Sequence, residues 1–306
     1  MIPSILHDLI FDYTLRNVAL GSAILGIVGG VLGSFALLRR QGLVGDALAH
    51  AALPGICLAF MLTGARTPIV LMLGAAISGW IGTLLILRIV RDTRLSEDTA
   101  LGVILTVFFG LGIVLLTQIQ HSDNANQAGL DHYLFGQAAT LVSEDVRTMA
   151  VAGGIALAIV GLLFKEMKLL AFDPEFAASI GFPTDRLSIL LTSSIVLAVV
   201  IGLQTVGVVL MAAMLVGPAA AARQWTNRLG VMVVLAGVFG AAAGVTGAMI
   251  SVSARQIPTG PMIVLCVTAL VIISLLFAPE RGIVWDSLRR RALSRTVLAS
   301  GPGERK

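Results

Sequence analysis

What most constrains this chain is where it lacks charge. Nine stretches, at 17–38, 43–63, 68–87, 100–117, 149–164, 187–203, 206–222, 229–252 and 261–278, are apolar almost throughout. Each comes near the about 17–25 residues that a helix needs to cross the hydrocarbon core of a bilayer. No water in that core can bond a free amide, so each backbone N–H and C=O must be satisfied within the chain. Helices meet this demand segment by segment, and the expected fold is all-α: a polytopic membrane protein of about nine transmembrane helices. Composition agrees, because 12% charged residues are too few to coat a soluble surface, where roughly 25% is usual. A soluble two-domain enzyme is excluded. The 33 glycines suit helices packed closely in lipid.

Orientation follows from Lys and Arg, which are enriched in cytoplasmic loops. With the N-terminus outside, only Arg16, Arg66, Arg147 and Arg255 lie on the outer side, and the rest of the 21 basic residues lie inside. This asymmetry favours an odd number of helices and a cytoplasmic C-terminus. The division expected is an external amphipathic or flexible segment at 1–16, a transmembrane domain at 17–278 and a basic cytoplasmic tail at 279–306. The sixth and seventh stretches are separated only by Gln204 and Thr205, which fits a hairpin, a broken helix or one long helix. The first residues have no basic start and no small-residue cleavage site, so no removable signal peptide is expected. The basic residues flank apolar runs and are not interleaved with aromatics, so no nucleic-acid partner is expected; membrane lipid is. Cys57 and Cys266 lie within apolar stretches and read as buried thiols.

An ionisable side chain at the centre of a membrane helix costs roughly 2.5–3.5 kcal/mol on insertion scales, so each one requires a reason. Asp46 and His50, in LVGDALAHAALPG, are the acid and the histidine that sit well within an apolar stretch. Four residues apart, they share one helical face. Carboxylate and imidazole suit a borderline divalent cation such as Mn²⁺, Zn²⁺ or Fe²⁺, although one pair is too few ligands. Two copies of this helix facing each other would supply four. A plain Asp–His contact near the cytoplasmic end is the competing explanation. The outer loop carries His121, Asp123, Asp131 and His132, candidates for a metal-collecting vestibule or ordinary solvated residues.

The glycines of GIVGGVLG at 26–33 match no nucleotide-binding pattern and lack the following Lys-Ser/Thr. They read as packing faces, Gly26 with Gly30 and Gly29 with Gly33, as do Gly237, Gly240, Gly244 and Gly247. Without a phosphate-binding loop, this chain is not expected to hydrolyse ATP. Ser96, Glu97 and Asp98 read as capping for the fourth helix. Ser193, Ser194, Gln204 and Thr205 either line a path or bond backbone carbonyls. In FDPEFAASIGFP, Asp173 can cap a short helix with Pro174 in its first turn and Gly181 at its end, and Phe176 and Ile180 on one face.

Five segments in order, LLRRQGLVGDALAHAALPG, LSEDTALG, GLDHYLFGQAA, FDPEFAASIG and LQTVGVVLMAAMLVGPAAAAR, resemble the metal-ion ABC permease family of bacterial manganese, zinc and iron importers. The resemblance spans most of residues 14–278. It implies a permease in the bacterial cytoplasmic membrane that pairs with a second copy or a related permease. Its partners would be a cytoplasmic ATP-binding cassette ATPase dimer and an external metal-binding protein. It implies that Asp46 and His50 meet the transported metal, and that the segment at 172–183 docks on the ATPase through Asp173, Pro174, Glu175, Phe176, Ile180 and Gly181. The metal is then a substrate, with no permanently bound cofactor and no catalytic residue on this chain. Two rivals stand beside this: an ATP-independent cation carrier or channel, and an intramembrane enzyme using Asp46 and His50 as acid and base. The carrier leaves FDPEFAASIG without a purpose. The enzyme lacks a nucleophile or second acid.

Overall fold

The computed structural model describes residues 13–64, 67–121, 141–253, 258–279 and 281–282. They form ten helices: α1 (Tyr13–Leu38), α2 (Val44–Thr63), α3 (Pro68–Asp92), α4 (Glu97–Gln120), α5 (Ser143–Leu162), α6 (Phe164–Phe172), α7 (Pro174–Ser179), α8 (Thr184–Trp225), α9 (Leu229–Ser253) and α10 (Thr259–Phe277). Among the described residues, 8 segments are long and apolar enough to cross a membrane, including the first arm of α8. The chain is an all-helical, multi-pass membrane protein.

Close approach between these helices depends on residues without side chains, since lipid offers no hydrophobic drive for helices to associate. In α1 the glycines divide between two partners. A Cβ on Gly26 or Gly30 would come within 2.2 or 2.3 Å of the carbonyls of Gly240 and Ala236 in α9, whereas one on Gly33 would lie 1.7 Å from the Leu215 carbonyl in α8. The expected two-faced glycine pattern is what the helix uses. Gly244 meets Ser22, Gly247 meets α10 at Ile263, and Gly237 has ordinary room beside Ile27 and Val31. The pairing of Gly55 in α2 with Gly74 in α3 is a further backbone contact. Thr83 and Thr192 donate to carbonyls four residues back, which satisfies their hydroxyls without a partner helix.

The contacts sort the helix ends into two poles. Residues 22, 26 and 30 of α1 pair with 244, 240 and 236 of α9, so these helices are antiparallel and the start of α9 lies by the end of α1. At that pole Arg39 faces Glu97 at 3.9 Å and Arg91 faces Asp185 at 3.8 Å. There too Phe35 meets Phe164, with ring centroids 6.1 Å apart, and Arg281 donates to Asn227 at 3.0 Å. At the other pole Ser143 donates to the Tyr13 hydroxyl and Ser251 bonds Thr259. The loops rich in Arg and Lys thus share one end.

Helix α8 starts and finishes at this basic pole, although it is 42 residues long. It does so by breaking at Gly207, whose φ of 80° and ψ of 172° are non-helical. In a continuous helix, residues 202 and 211 would be about 13 Å apart along the axis. Here the Met211 sulfur lies 2.2 Å from where a Gly202 Cβ would stand. The chain turns back as two arms, with the break a little past the expected 204–205 junction; the side chains of Gln204 and Thr205 lie outside the described residues.

One element was not expected. Lys165–Ala171 interrupt the apolar pattern, yet they lie in α6, which buries Met167 and Leu170. The segment at 1–12 and the tail from 283 lie outside the described residues, and α1 begins at Tyr13, a turn before the expected span.

Candidate functional site

Helix α2 is buried along nearly all of its first half, from Val44 through Cys57, with two departures: Asp46 and His50 are each partly exposed. Their side chains are 38% and 19% exposed, and they open on the same side. His50 Nε2 lies 3.3 Å from Asp46 Oδ1. That is beyond the roughly 2.7–3.2 Å of an N–H···O hydrogen bond. It is close to the about 3.4 Å between a nitrogen and an oxygen that both bind one tetrahedral metal at about 2.0–2.1 Å. The pair is spaced as two ligands of one ion.

One aromatic contact holds the imidazole. Its ring packs edge-on against Phe109 of α4, with centroids 4.6 Å apart and planes at 67°. Its Nδ1 is buried and has no hydrogen-bond partner among the described residues. Pro54, buried within α2, has no N–H to give to the carbonyl of His50, which frees that oxygen too.

The base of α2 is clamped to α4. Gln41, 5% exposed, donates its amide to Glu97 of the first turn of α4, and Arg39 approaches the same carboxylate oxygen. Burial pulls the Arg39 pKa below its ordinary value, and the Glu97 charge opposes that pull. Of the three residues expected to cap α4, Ser96 does so by accepting from the Thr99 amide at 3.3 Å, whereas Glu97 turns to Gln41 and Arg39. Gln41, Arg39 and Phe109 escaped the sequence reading because each acts through a distant partner. Gln41 and Glu97 are 56 residues apart.

The segment at 172–183 forms as its residues suggest. Asp173 caps α7 by accepting from the Phe176 amide at 2.9 Å, Pro174 opens the helix, and Gly181 leaves it at a φ of 89°. Phe176 and Ile180 are 52% and 51% exposed, while Ala177 is buried. Glu175 lies in the first turn beside them. The helix thus anchors through one small residue and presents two large apolar ones at the basic pole. Phe172 and Phe182 are also exposed and line one pocket with Lys165, Lys168 and Leu169 of α6.

The vestibule candidates do not come together within the described residues. His121 ends α4, exposed, with its ring nitrogen 2.8 Å from the Thr117 carbonyl. Asp123, Asp131 and His132 lie outside the described residues. Among the described residues no three His, Cys, Asp or Glu gather as a metal site, and Asp46 and His50 stand as a pair. Ser193 accepts from the Trp80 indole at 2.9 Å, and Ser194 donates to the Leu190 carbonyl. Both have packing roles. Cys57 is buried and Cys266 partly buried, and neither forms a disulfide.

Comparison with known proteins gives this arrangement a lineage. The zinc transport system membrane protein TroC of Treponema pallidum is 47% identical over 94% of this chain and 97% of its own length. The manganese transport system membrane protein MntC of Bacillus subtilis is 48% identical, covering 90% of this chain and 63% of that one. Among solved structures, PsaBC from Streptococcus pneumoniae in complex with Fab superposes with a TM-score of 0.79 at 32% identity, over 92% of this chain and 98% of that one. The model of the ABC 3 transport family matches residues 11–278, and the chain is a member of that family.

Proposed function

We propose that this chain is the permease subunit of an ABC importer that carries a divalent transition-metal ion, manganese or zinc, into the cytoplasm, with Asp46 and His50 as ligands along its path. The observation that carries this reading is the 3.3 Å Asp46–His50 pair, which opens on one side of an otherwise buried helix. Zinc and manganese come from the named relatives, and iron finds no support among them. A half-site needs a second half. A second copy, or a related permease, that presents its own α2 would complete four ligands about an axis, and oxygen and nitrogen would replace the water the ion gives up.

Nine crossings with the N-terminus outside and the C-terminus inside fit the placement of charges. Each arm of α8 then counts once: the first, 184–206, is about 34 Å long at 1.5 Å per residue, enough for about 30 Å of hydrocarbon. The basic pole faces the cytoplasm of a bacterial inner membrane by the positive-inside rule. Energy comes from a separate ATPase dimer. Asp173–Gly181 dock on it, Phe176 and Ile180 filling a groove and Glu175 at its rim. An external binding protein delivers the ion, and rigid-body rocking of the two permeases opens the path inward. The membrane domain spans 17–278, with 279–306 as a cytoplasmic tail, and no residue of the chain performs covalent chemistry.

Reconstitution separates this from the carrier reading. Proteoliposomes holding the permease with its ATPase subunit, given the external binding protein on the opposite side, are expected to accumulate Mn²⁺ or Zn²⁺ only when ATP is supplied on the ATPase side. Equal uptake with no ATPase subunit present would overturn the importer reading in favour of a carrier.

A further inference from the structure

A cavity lies at the basic pole, bounded on one side by the Arg39–Glu97 pair at the base of α2. Helix α3 is 25 residues long, about 37 Å, which exceeds the about 30 Å hydrocarbon core by about 7 Å, or about five residues. Its last five residues, from Arg88 through Arg91 to Asp92, therefore stand at headgroup level. They open onto a cavity of about 950 Å³ between α3 and the start of α8, lined by Arg39, Arg88, Arg91, Glu97, Asp185 and a wall of leucines.

The arginines have donors to spare. Arg88 donates its Nε to Asp92 at 2.9 Å, and no contact among the described residues engages its terminal nitrogens. Arg91 lies 3.8 Å from Asp185, too far for a hydrogen bond. At 80% and 76% exposure, such ion pairs contribute little and exchange readily for a better acceptor. A phosphate is that acceptor, since two planar guanidinium forks three residues apart match its oxygens. Glu97 is held by Gln41 and Arg39, whereas Asp92 and Asp185 meet Arg88 and Arg91 only through these exposed pairs, so a phosphate competes with two weakly held carboxylates for the guanidinium donors.

Below the mouth, Leu85, Ile81 and Ile77 form an exposed apolar stripe at four-residue spacing along α3. From Ile77 to Arg88 is about 16 Å, the depth of one leaflet of a 30 Å core. We propose that this groove binds one anionic phospholipid, its phosphate on Arg88 and Arg91 and an acyl chain along Leu85, Ile81 and Ile77. Basic pockets between membrane helices are known to select such headgroups.

Native mass spectrometry of the full chain in detergent tests this, with phosphatidylglycerol and phosphatidylcholine of identical acyl chains as probes. The unaltered protein is expected to hold one phosphatidylglycerol at least fivefold more tightly than phosphatidylcholine. Arg88→Gln with Arg91→Gln should abolish that preference while leaving phosphatidylcholine adducts unchanged. Lys165→Gln with Lys168→Gln, which removes equal charge from the same pole, should preserve it. Equal retention in both double variants, or equal loss in both, overturns the site. Displacement of the lipid by millimolar glycerol 3-phosphate would overturn the acyl-chain contribution. If the arginine pair fails to fold, Arg88→Lys with Arg91→Lys replaces it: a preserved charge without planar forks should weaken the preference, and an unchanged one refutes phosphate recognition by the arginines.

Discussion

Leu215 is the point at which the membrane core and the candidate site meet, and Gly33→Ala tests that junction. Leu215 is fully buried between α1 and α2. A methyl group on Gly33 would lie 1.7 Å from its carbonyl oxygen, and its own side chain already fills the space at Gly45, 2.8 Å from where a Cβ would be. Ordinary contact between carbon and a carbonyl oxygen is about 3.3 Å or more, so the second arm of α8 must retreat by about 1.6 Å. Leu215 cannot yield sideways, because it would press on Gly45, next to Asp46. Overpacking of this kind costs about 1–3 kcal/mol, more where backbone must move, and a gap of that size elsewhere along the seam removes half or more of each dispersion contact. About 3 kcal/mol is expected, a roughly hundredfold shift in the unfolding equilibrium. SDS titration in mixed micelles, followed by tryptophan fluorescence, measures it. Gly154→Ala is the control, since nothing lies within 4 Å of its added Cβ and alanine has the better helix propensity. Should both variants unfold at the same SDS fraction, the tight seam at Leu215 does not exist and the reasoning is refuted.

Three further outcomes follow from the same contacts. Gly207→Ala forces a side chain into a φ and ψ of 80° and 172°, a region open almost only to glycine, and should destabilise by about 1–3 kcal/mol in the same titration. Gln41→Leu removes the amide that reaches Glu97, leaving a part-buried carboxylate short of a donor; a loss of about 1–3 kcal/mol is expected, and no loss means the clamp is idle. Phe176→Ala with Ile180→Ala removes two half-exposed side chains, so the melting temperature should hold while capture of the ATPase subunit on affinity beads falls at least tenfold.

Much of this was legible in the sequence, for physical reasons that differ by element. The glycines of α1 could be read because four-residue spacing alone assigns a face. Helix α7 could be read because its cap, its first-turn proline and its terminal glycine are all local signals. Asp46 and His50 stood out by cost, as ionisable groups in hydrocarbon. Helix α6 was missed because Lys165, Glu166 and Lys168 break the apolar run, leaving Met167 and Leu170 as its two buried residues, too few for a periodic signal. Polarity marks Gln204 and Thr205 but leaves a hairpin, a broken helix or one long helix open; the chain breaks where glycine allows it, at Gly207. Glu97 was read as a cap because its position favours one; its actual partners, Gln41 and Arg39, lie across the bundle and leave no local trace.

The central claim is that Asp46 and His50 together receive a divalent cation where two permeases meet. Anomalous diffraction from crystals of the purified permease complex soaked in Mn²⁺ addresses it directly. The account predicts a peak on the axis between two copies of α2, about 2.0–2.2 Å from the carboxylate oxygen and imidazole nitrogen of each, and its disappearance in Asp46→Ala. A peak bound elsewhere, or two α2 helices whose Asp46 and His50 face lipid away from the neighbouring permease, would contradict it.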